Sequence, residues 1–217
     1  MKRLPGARAL VAVGLVLALQ APGAVAADRR LSVQLALIAG DARMLADPAT
    51  PPRRHEELSA RIRSSLGSIG MTERYAAETA GHTDADLPAE TRTLRALFAT
   101  RNLIAFLRLA NRLAAAYPVD TSSFEPVAVA PSRLETGRVI YRQYCLGCHT
   151  GTDPGAGARA PDLFSLAHNA PRKEFFARLL GGIYGDRTTS LANPFTDEAL
   201  ASLADYFVNG DPGVVER

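Results

Sequence analysis

The strongest constraint on this chain is its cysteine content: Cys145 and Cys148 are the only two, and His149 follows at once. Two cysteines in an exported protein ordinarily indicate a disulfide. The C-x-x-C spacing is also shared by thioredoxin-like redox pairs and by half of a zinc site. The sequence lacks the second ligand pair that a zinc site needs, and it lacks the strand–helix alternation of a thioredoxin. The motif must therefore be interpreted together with His149.

The C-x-x-C-H motif is the attachment signature of c-type haem. Two thiols at this spacing add to the two haem vinyl groups as thioethers, because two intervening residues separate the sulfurs by about one helical turn. The histidine that follows reaches the iron as its proximal ligand. The sequence therefore predicts one covalently bound haem c with its iron, held by Cys145, Cys148 and His149.

The first 27 residues have the three-part organisation of a secretory signal peptide. Lys2, Arg3 and Arg8 form a basic region, and the apolar run 9–19 follows. That run is shorter than the about 20 residues needed to cross a bilayer. The small residues 24–27 predict cleavage near Ala26 or Ala27 and export of residues 28–217 to the periplasm. An uncleaved N-terminal membrane anchor is the alternative.

Charge argues against a nucleic-acid partner. The formal net charge is +3, but three of the 25 basic side chains lie in the predicted signal peptide, which has no acidic residue. The remaining chain has equal numbers of basic and acidic side chains. Binding to nucleic acid requires surplus positive charge to displace counterions from phosphates. We therefore expect protein partners rather than nucleic acid.

Apolar residues recur at helical spacing through residues 28–117, which predicts a bundle of three or four antiparallel helices. The first helix ends before the prolines of 48–52, the second spans 55–68 and ends at Gly67 and Gly70, and the strongest spans 90–117. In that strongest helix, Ile104 is expected on the apolar face.

Residues 118–131 contain three prolines and no helical period, which predicts an extended surface linker. The remainder, 132–217, is predicted to form a second helical domain. Ser132 and Glu135 fit a capping box that opens a helix reaching about residue 144. Two further helices are predicted over 172–181 and 196–208, with Thr196 as the N-cap of the second. The predicted fold class is thus all-α throughout.

Residues 132 to about 210 resemble the class I cytochrome c family. Four motifs carry the resemblance in the family's order: Gly137 with Tyr141, the C-x-x-C-H motif, Pro161-Asp162-Leu163, and a final helix containing Thr196-Asp197-Glu198-Ala199-Leu200, Leu203, Tyr206 and Phe207. The resemblance implies a cytochrome c-like haem domain after the N-terminal bundle. It also implies that the Pro161 carbonyl accepts the proximal imidazole N–H and that Leu163 packs on the haem.

The resemblance further implies a close crossing of the first and last helices of this domain, at Gly137 and at Tyr206 or Phe207. One element of the family's pattern is missing: the methionine that usually binds the distal side of the iron from the loop before the last helix. The three methionines of the chain are Met1, Met44 and Met71. The alternatives are His168, a ligand from the bundle, Lys173 or an open site; the bundle candidates are Met44, Met71, His55 and His82.

The predicted function is that of a periplasmic mono-haem c-type cytochrome. It would transfer single electrons between redox partner proteins in the periplasm or at the membrane surface, and the N-terminal bundle would serve for docking or oligomer formation. The alternatives are a sensor or binding protein for small gases with an open distal site, or a subunit of a haem oxidoreductase complex. The sequence contains no third cysteine and no evident acid–base pair, so we expect an electron-transfer protein rather than a stand-alone enzyme.

Overall fold

The computed structural model describes residues 22–80, 85–124, 129–149, 162–182 and 195–210. Across these ranges the chain forms α-helices with one 3-10 turn and one π turn, and no strand is found there. The predicted all-α class is confirmed. Among the described helices, none combines the length and the apolar character required to cross a membrane. Residues 1–21 of the predicted signal peptide lie outside the described ranges.

Four helices build the N-terminal bundle: α1 (Pro22–Ala46), α2 (Pro52–Ala80), α3 (Leu87–Ala99) and α4 (Leu103–Ala116). Helix α1 packs mainly against α2 and α4. The predicted apolar positions form the bundle core, where Leu35, Ile38, Leu58, Ile62 and Leu94 are all at most 1% exposed. Burial of these aliphatic side chains stabilises helices whose ends are interrupted by proline and glycine.

The predicted end of the second helix is wrong. Helix α2 continues through Gly67 and Gly70 to Ala80, so Met71 lies on a helix rather than in a loop. A glycine inside a helix costs about 1 kcal/mol relative to alanine. The buried side chains of Leu66 and Ile69, beside the glycines, and of Ala76, beyond both, continue the contact with the bundle core and offset that cost.

The single helix predicted over 90–117 is also wrong, because the chain breaks into α3 and α4 between Thr100 and Asn102. Arg101 has a φ of 57°, in the left-handed region. Asn102 then caps α4 by accepting a hydrogen bond from the Ala105 backbone N–H at 3.3 Å. The break rotates α4 relative to α3, which leaves Ile104 68% exposed instead of on the apolar face.

The predicted surface linker contains two buried anchors. Val119 is 3% exposed, and Phe124, at the end of a 3-10 turn (Ser122–Phe124), is 1% exposed. Phe124 packs against Phe176 with ring centroids 5.4 Å apart. The surface prediction is wrong for these two residues because burying an apolar side chain against another part of the fold is favourable: Val119 packs with Val33 and Ala177, and Phe124 with Phe176. The domain boundaries at 117 and 131 remain predictions.

The C-terminal part contains α5 (Pro131–Ile140), a π turn (Tyr141–Cys145), α6 (Leu146–His149), α7 (Leu163–Asn169), α8 (Arg172–Gly181) and α9 (Asp197–Asn209). The helices predicted over 172–181 and 196–208 are confirmed to within one residue. Thr196 is the N-cap of α9 and accepts a hydrogen bond from the Ala199 N–H at 3.3 Å. The capping box at Ser132 is wrong: Pro131 opens α5, and the side chain of Glu135 pairs with Arg138 instead.

The bundle and the C-terminal part pack together through α1 and α8. Part of this contact is apolar: Val33 and Ala36 of α1 meet Val119 and Ala177. The rest is a buried ionic network. Arg178 lies 2.8 Å from Glu174 Oε1 and 3.0 Å from Asp41 Oδ1, and all three side chains are less than 10% exposed.

Candidate haem site

The C-x-x-C-H residues lie on a continuous helical segment formed by the π turn and α6. Cys145, Cys148 and His149 occupy positions i, i+3 and i+4, which share one side of a helix. The Leu146 N–H donates to the Tyr141 carbonyl, which is the i→i+5 hydrogen bond of a π turn. Such turns occur frequently at functional sites. The predicted one-turn separation of the two cysteines thus agrees with the backbone.

The surroundings of this segment suit an apolar prosthetic group. Cys145 and His149 are half-buried, and Cys145 packs at the edge of the apolar core of the C-terminal part. A Cβ added to Gly147 would meet no atom within 4 Å, so the side of this helix that faces away from the cysteines is free of contacts. Thiol and imidazole groups are the ligands that haem attachment requires. The described residues therefore fit haem; the Cys148 side chain lies outside the description.

Aromatic rings form the core beside the motif. Tyr141 stands edge-on to Phe164 and to Phe207, with ring centroids 5.5 Å apart in both pairs. Phe164 also contacts Tyr206 at 5.3 Å and Phe207 at 5.2 Å. Edge-to-face packing of this kind is favourable beyond simple burial. Burial also raises the pKa of the Tyr141 hydroxyl above 10.0, so this core stays uncharged.

The close helix crossing at Gly137 is confirmed. A Cβ on Gly137 would stand 2.6 Å from Tyr206 Cβ and closer still to the Ser202 carbonyl oxygen. Only glycine allows the backbones of α5 and α9 to approach this closely. The crossing places Tyr141, one turn after Gly137, against Tyr206 and Phe207 of α9. The first and last helices of the C-terminal part therefore hold the motif in position.

Leu163 begins α7 and is 8% exposed, in the same apolar core that Cys145 borders. Asp162 caps α7 by accepting hydrogen bonds from the Phe164 and Ser165 N–H groups at 2.9 and 3.1 Å. The structure thus brings Leu163 together with the motif. Pro161 lies outside the described residues, so its contact with the proximal histidine remains a prediction.

The predicted distal ligands are scattered. His168 is exposed on α7, with Nδ1 2.7 Å from the Phe164 carbonyl oxygen of its own helix. Lys173 is exposed on α8, Met44 packs on the bundle core, and Met71 is 62% exposed on α2. His55 is half-buried on α2, whereas His82 and residues 183–194 lie outside the description. Distal ligation by any of them stays a prediction. Within the described ranges, no group of three His, Cys, Asp or Glu side chains could hold a metal alone.

Sequence reasoning missed a buried ion pair that joins α5 to α9. Arg133 Nε lies 3.0 Å from Asp205 Oδ2, and Asp205 is 3% exposed. Burial raises the pKa of Asp205 above 3.8, against the attraction of Arg133. One signal was present: Asp205 interrupts the apolar face of α9 between Ala204 and Tyr206. No sequence signal indicates the π turn or the exposed Tyr144, whose ring stands 5.2 Å from that of Phe195.

Comparison with protein families identifies this part of the chain. Residues 132–207 match the family described as cytochrome C oxidase, cbb3-type, subunit III. Comparisons with curated proteins and with solved structures give no significant match. The matched range contains the C-x-x-C-H helix, the close crossing at Gly137 and the aromatic core around Tyr141. The C-terminal part of this chain, residues 132–207, is therefore a cytochrome c haem domain.

Proposed function

We propose that this protein is a periplasmic mono-haem c-type cytochrome that passes single electrons between redox partner proteins. A cytochrome c domain implies haem-based electron transfer in general. The observation that carries the proposal is the placement of Cys145 and His149 on one side of a helix, both half-buried, with Cys145 at the edge of an aromatic core. The sequence contains one such motif, which supports a single haem. When bound, haem supplies an iron that alternates between the ferric and ferrous states.

Each residue of the site would have a distinct role. Cys145 and Cys148 hold the prosthetic group to the chain, and His149 orients toward the iron from the next helical position. Leu163 and Phe164 exclude water from the apolar side of the site, which limits solvent reorganisation and influences the redox potential. The exposed Tyr144, next to Cys145, lies on the outer surface where a partner protein would approach. Transient redox complexes need only small interfaces of this kind.

The attachment test uses the protein expressed together with a haem-attachment system. We expect intact mass to increase by one haem and the ferrous protein to show a c-type absorption spectrum. Replacing both cysteines, Cys145→Ala with Cys148→Ala, should abolish the covalent mass. His168→Ala is a suitable control, because His168 lies on α7 and outside the attachment motif. A wild-type protein without covalent haem would refute the proposal.

Binding of carbon monoxide distinguishes an electron carrier from the second candidate, a gas-binding protein. One observation favours the second: residues 183–194, where the family's distal methionine is expected, contain no Met, His, Cys or Lys. For an electron carrier, the ferrous spectrum should be low-spin and unchanged by CO. Rapid CO binding to a high-spin ferrous protein would instead support gas binding or sensing. If the ferrous protein is low-spin, His168→Ala, Met44→Ala and Met71→Ala locate the hidden distal ligand by a change to a high-spin spectrum.

Export is tested by determining the N-terminus of the mature protein. The basic residues Lys2, Arg3 and Arg8, the apolar run 9–19 and the small residues 24–27 support cleavage near Ala26 or Ala27. The N-terminal sequence of the protein recovered from the periplasm should therefore begin within a few residues of Asp28. Recovery of the uncleaved chain in the membrane fraction would support the anchored alternative.

A further inference from the structure

A pocket of about 870 Å³ opens in the N-terminal bundle, away from the C-x-x-C-H motif. It lies between the first half of α2 and the junction of α3 with α4. Its apolar lining includes Leu45, Leu66, Phe98 and Leu103. Pockets of this size accommodate small organic molecules, and an apolar lining with a few polar groups is typical of them.

The polar lining of this pocket is strongly basic. Arg63, Arg95 and Arg101 contribute guanidinium groups, whereas Glu56 is the one acidic residue in the described lining. None of the three arginines forms an ion pair within the part of the chain that the structure describes. Arg95 Nε donates to the Leu66 carbonyl at 2.8 Å, which fixes that side chain at the pocket. A fixed guanidinium binds carboxylates through paired hydrogen bonds.

Arg101 occupies a backbone position that favours glycine. The Arg101 N–H donates to the Phe98 carbonyl at 3.1 Å, and the Asn102 N–H donates to the Leu97 carbonyl at 3.0 Å. These two bonds form a Schellman motif, which usually places glycine where Arg101 has its φ of 57°. A residue with a Cβ is strained in this conformation. The strained backbone at Arg101, beside the pocket, points to a role for its side chain.

A second polar group in the lining lacks a partner. His55 Nε2 is buried and makes no hydrogen bond with any described residue. A buried polar atom without a partner is costly, so such atoms are rare in folded proteins. His55 Nε2 has no surface open to the pocket, so the three arginines alone favour an occupant that carries hydrogen-bond acceptors.

We propose that this pocket binds a small amphipathic carboxylate. Its carboxylate oxygens accept hydrogen bonds from the guanidinium groups, Arg101 foremost, while its apolar body lies on Phe98 and Leu66. The N-terminal end of α4, which begins at Leu103 in the lining, adds its favourable dipole. The pocket lies within the bundle, so this proposal is independent of haem attachment and of electron transfer.

Calorimetric titration of the full, haem-loaded protein with three probes tests the ligand class. Octanoate carries both a carboxylate and an apolar chain, acetate carries the carboxylate alone, and 1-octanol carries the chain alone. We expect octanoate to bind at least about ten-fold more tightly than either of the others, because only octanoate uses both parts of the pocket. No binding of octanoate, or equal binding of acetate or octanol, would overturn the proposal.

Arg101→Gly separates binding from folding. Glycine removes the guanidinium and also relieves the backbone at φ 57°, so the variant should be at least as stable as the wild type. Its affinity for octanoate should nevertheless fall about ten-fold, the effect of losing one charge-assisted hydrogen bond. Arg108→Ala, on the exposed surface of α4, removes the same charge outside the pocket and should leave the affinity unchanged. Unchanged octanoate binding by Arg101→Gly, or an equal loss in Arg108→Ala, would refute the assignment.

Discussion

Glycines at two positions have opposite consequences because of what surrounds them. At Gly137 an added methyl group would collide with the backbone carbonyl oxygen of Ser202 and with the Cβ of Tyr206, both on α9. At Gly67, on the exposed side of α2, a Cβ would meet nothing within 4 Å. The first glycine permits a helix crossing, whereas the second only costs conformational entropy. A substitution at Gly137 therefore tests helix packing, whereas a substitution at Gly67 tests helix propensity.

Gly137→Ala should destabilise the protein by about 1–3 kcal/mol, because the helices α5 and α9 must separate to accept the methyl group. Gly67→Ala is the matched control and should stabilise α2 by about 0.5–1 kcal/mol. Urea denaturation followed by circular dichroism measures both free energies of unfolding. A neutral or stabilising effect of Gly137→Ala would contradict the close crossing.

Asp205 makes a pH-dependent contribution to stability. Burial raises the pKa of its carboxyl above 3.8, with Arg133 and Arg172 opposing the shift and Glu198 adding to it. The folded protein therefore binds the Asp205 proton more tightly than the unfolded chain does. The stabilisation that this tighter proton binding provides is fully present below the pKa that Asp205 has in the unfolded chain. It is lost as pH rises through the pKa that Asp205 has in the folded protein.

Asp205→Asn removes this titration. The free energy of unfolding of the wild type, measured relative to the variant, should decrease as pH rises from below 3.8 through the raised pKa. Urea denaturation of both proteins over this pH series gives the difference directly, since the other titrating groups are common to both. A difference that increases with pH would show that Arg133 dominates and that the pKa of Asp205 is lowered.

Helix starts in this protein depend on which residue can act as a cap. Both Ser132 and Thr196 precede a helical pattern and have an acidic residue nearby. Thr196 is an N-cap with its side chain bonded to the Ala199 N–H, whereas the N-cap of α5 is Ala130 because Pro131 already begins the helix. Proline is favoured at the first helical position, where its missing N–H costs nothing. The proline thus displaces the capping box.

Thr196→Ala should cost about 1 kcal/mol of stability, because it leaves an N–H at the start of α9 without its acceptor. Ser132→Ala is the control and should change the free energy of unfolding by less than about 0.5 kcal/mol, as a surface substitution does. Urea denaturation under identical conditions compares the two variants. An equal cost for both would indicate that Ser132 also caps its helix.

At the scale of the whole molecule, buried charges connect the bundle to the haem domain. Asp41 of α1 pairs with Arg61 of α2 and with Arg178 of α8, and Glu174 of α8 pairs with Arg43 of α1 at 2.7 Å. Burial alone would lower the pKa of Arg178, but the attraction of Asp41 and Glu174 outweighs burial and raises the pKa above its usual value. Asp41 is therefore the carboxylate shared by both parts of the molecule.

Asp41→Ala should destabilise the protein by about 3–5 kcal/mol, because Arg61 and Arg178 would be left close together and buried without their shared carboxylate. Arg112→Ala disrupts an exposed pair with Glu90 and should cost less than about 1 kcal/mol. Urea denaturation monitored both by circular dichroism and by haem absorbance should show this loss, with the two signals separating in Asp41→Ala. Coincident transitions and a small loss would show that the network does not couple the two parts.

The haem motif, the all-α class, the apolar periodicity of α1, the ranges of α8 and α9 and the N-cap of α9 could all be predicted from local sequence. Each depends on residues within a few positions of one another, so helical periodicity and short motifs contain the information. Only the tertiary structure decided that α2 continues past Gly67 and Gly70, that Arg101 divides α3 from α4, and that Phe124 is buried. It alone also revealed the Asp41–Arg178 and Arg133–Asp205 pairs. The two ion pairs, the buried Phe124 and the packing of α2 join residues far apart in the chain, where burial and charge pairing outweigh local propensity. The break at Arg101 is local, but its left-handed φ goes against the preference of arginine.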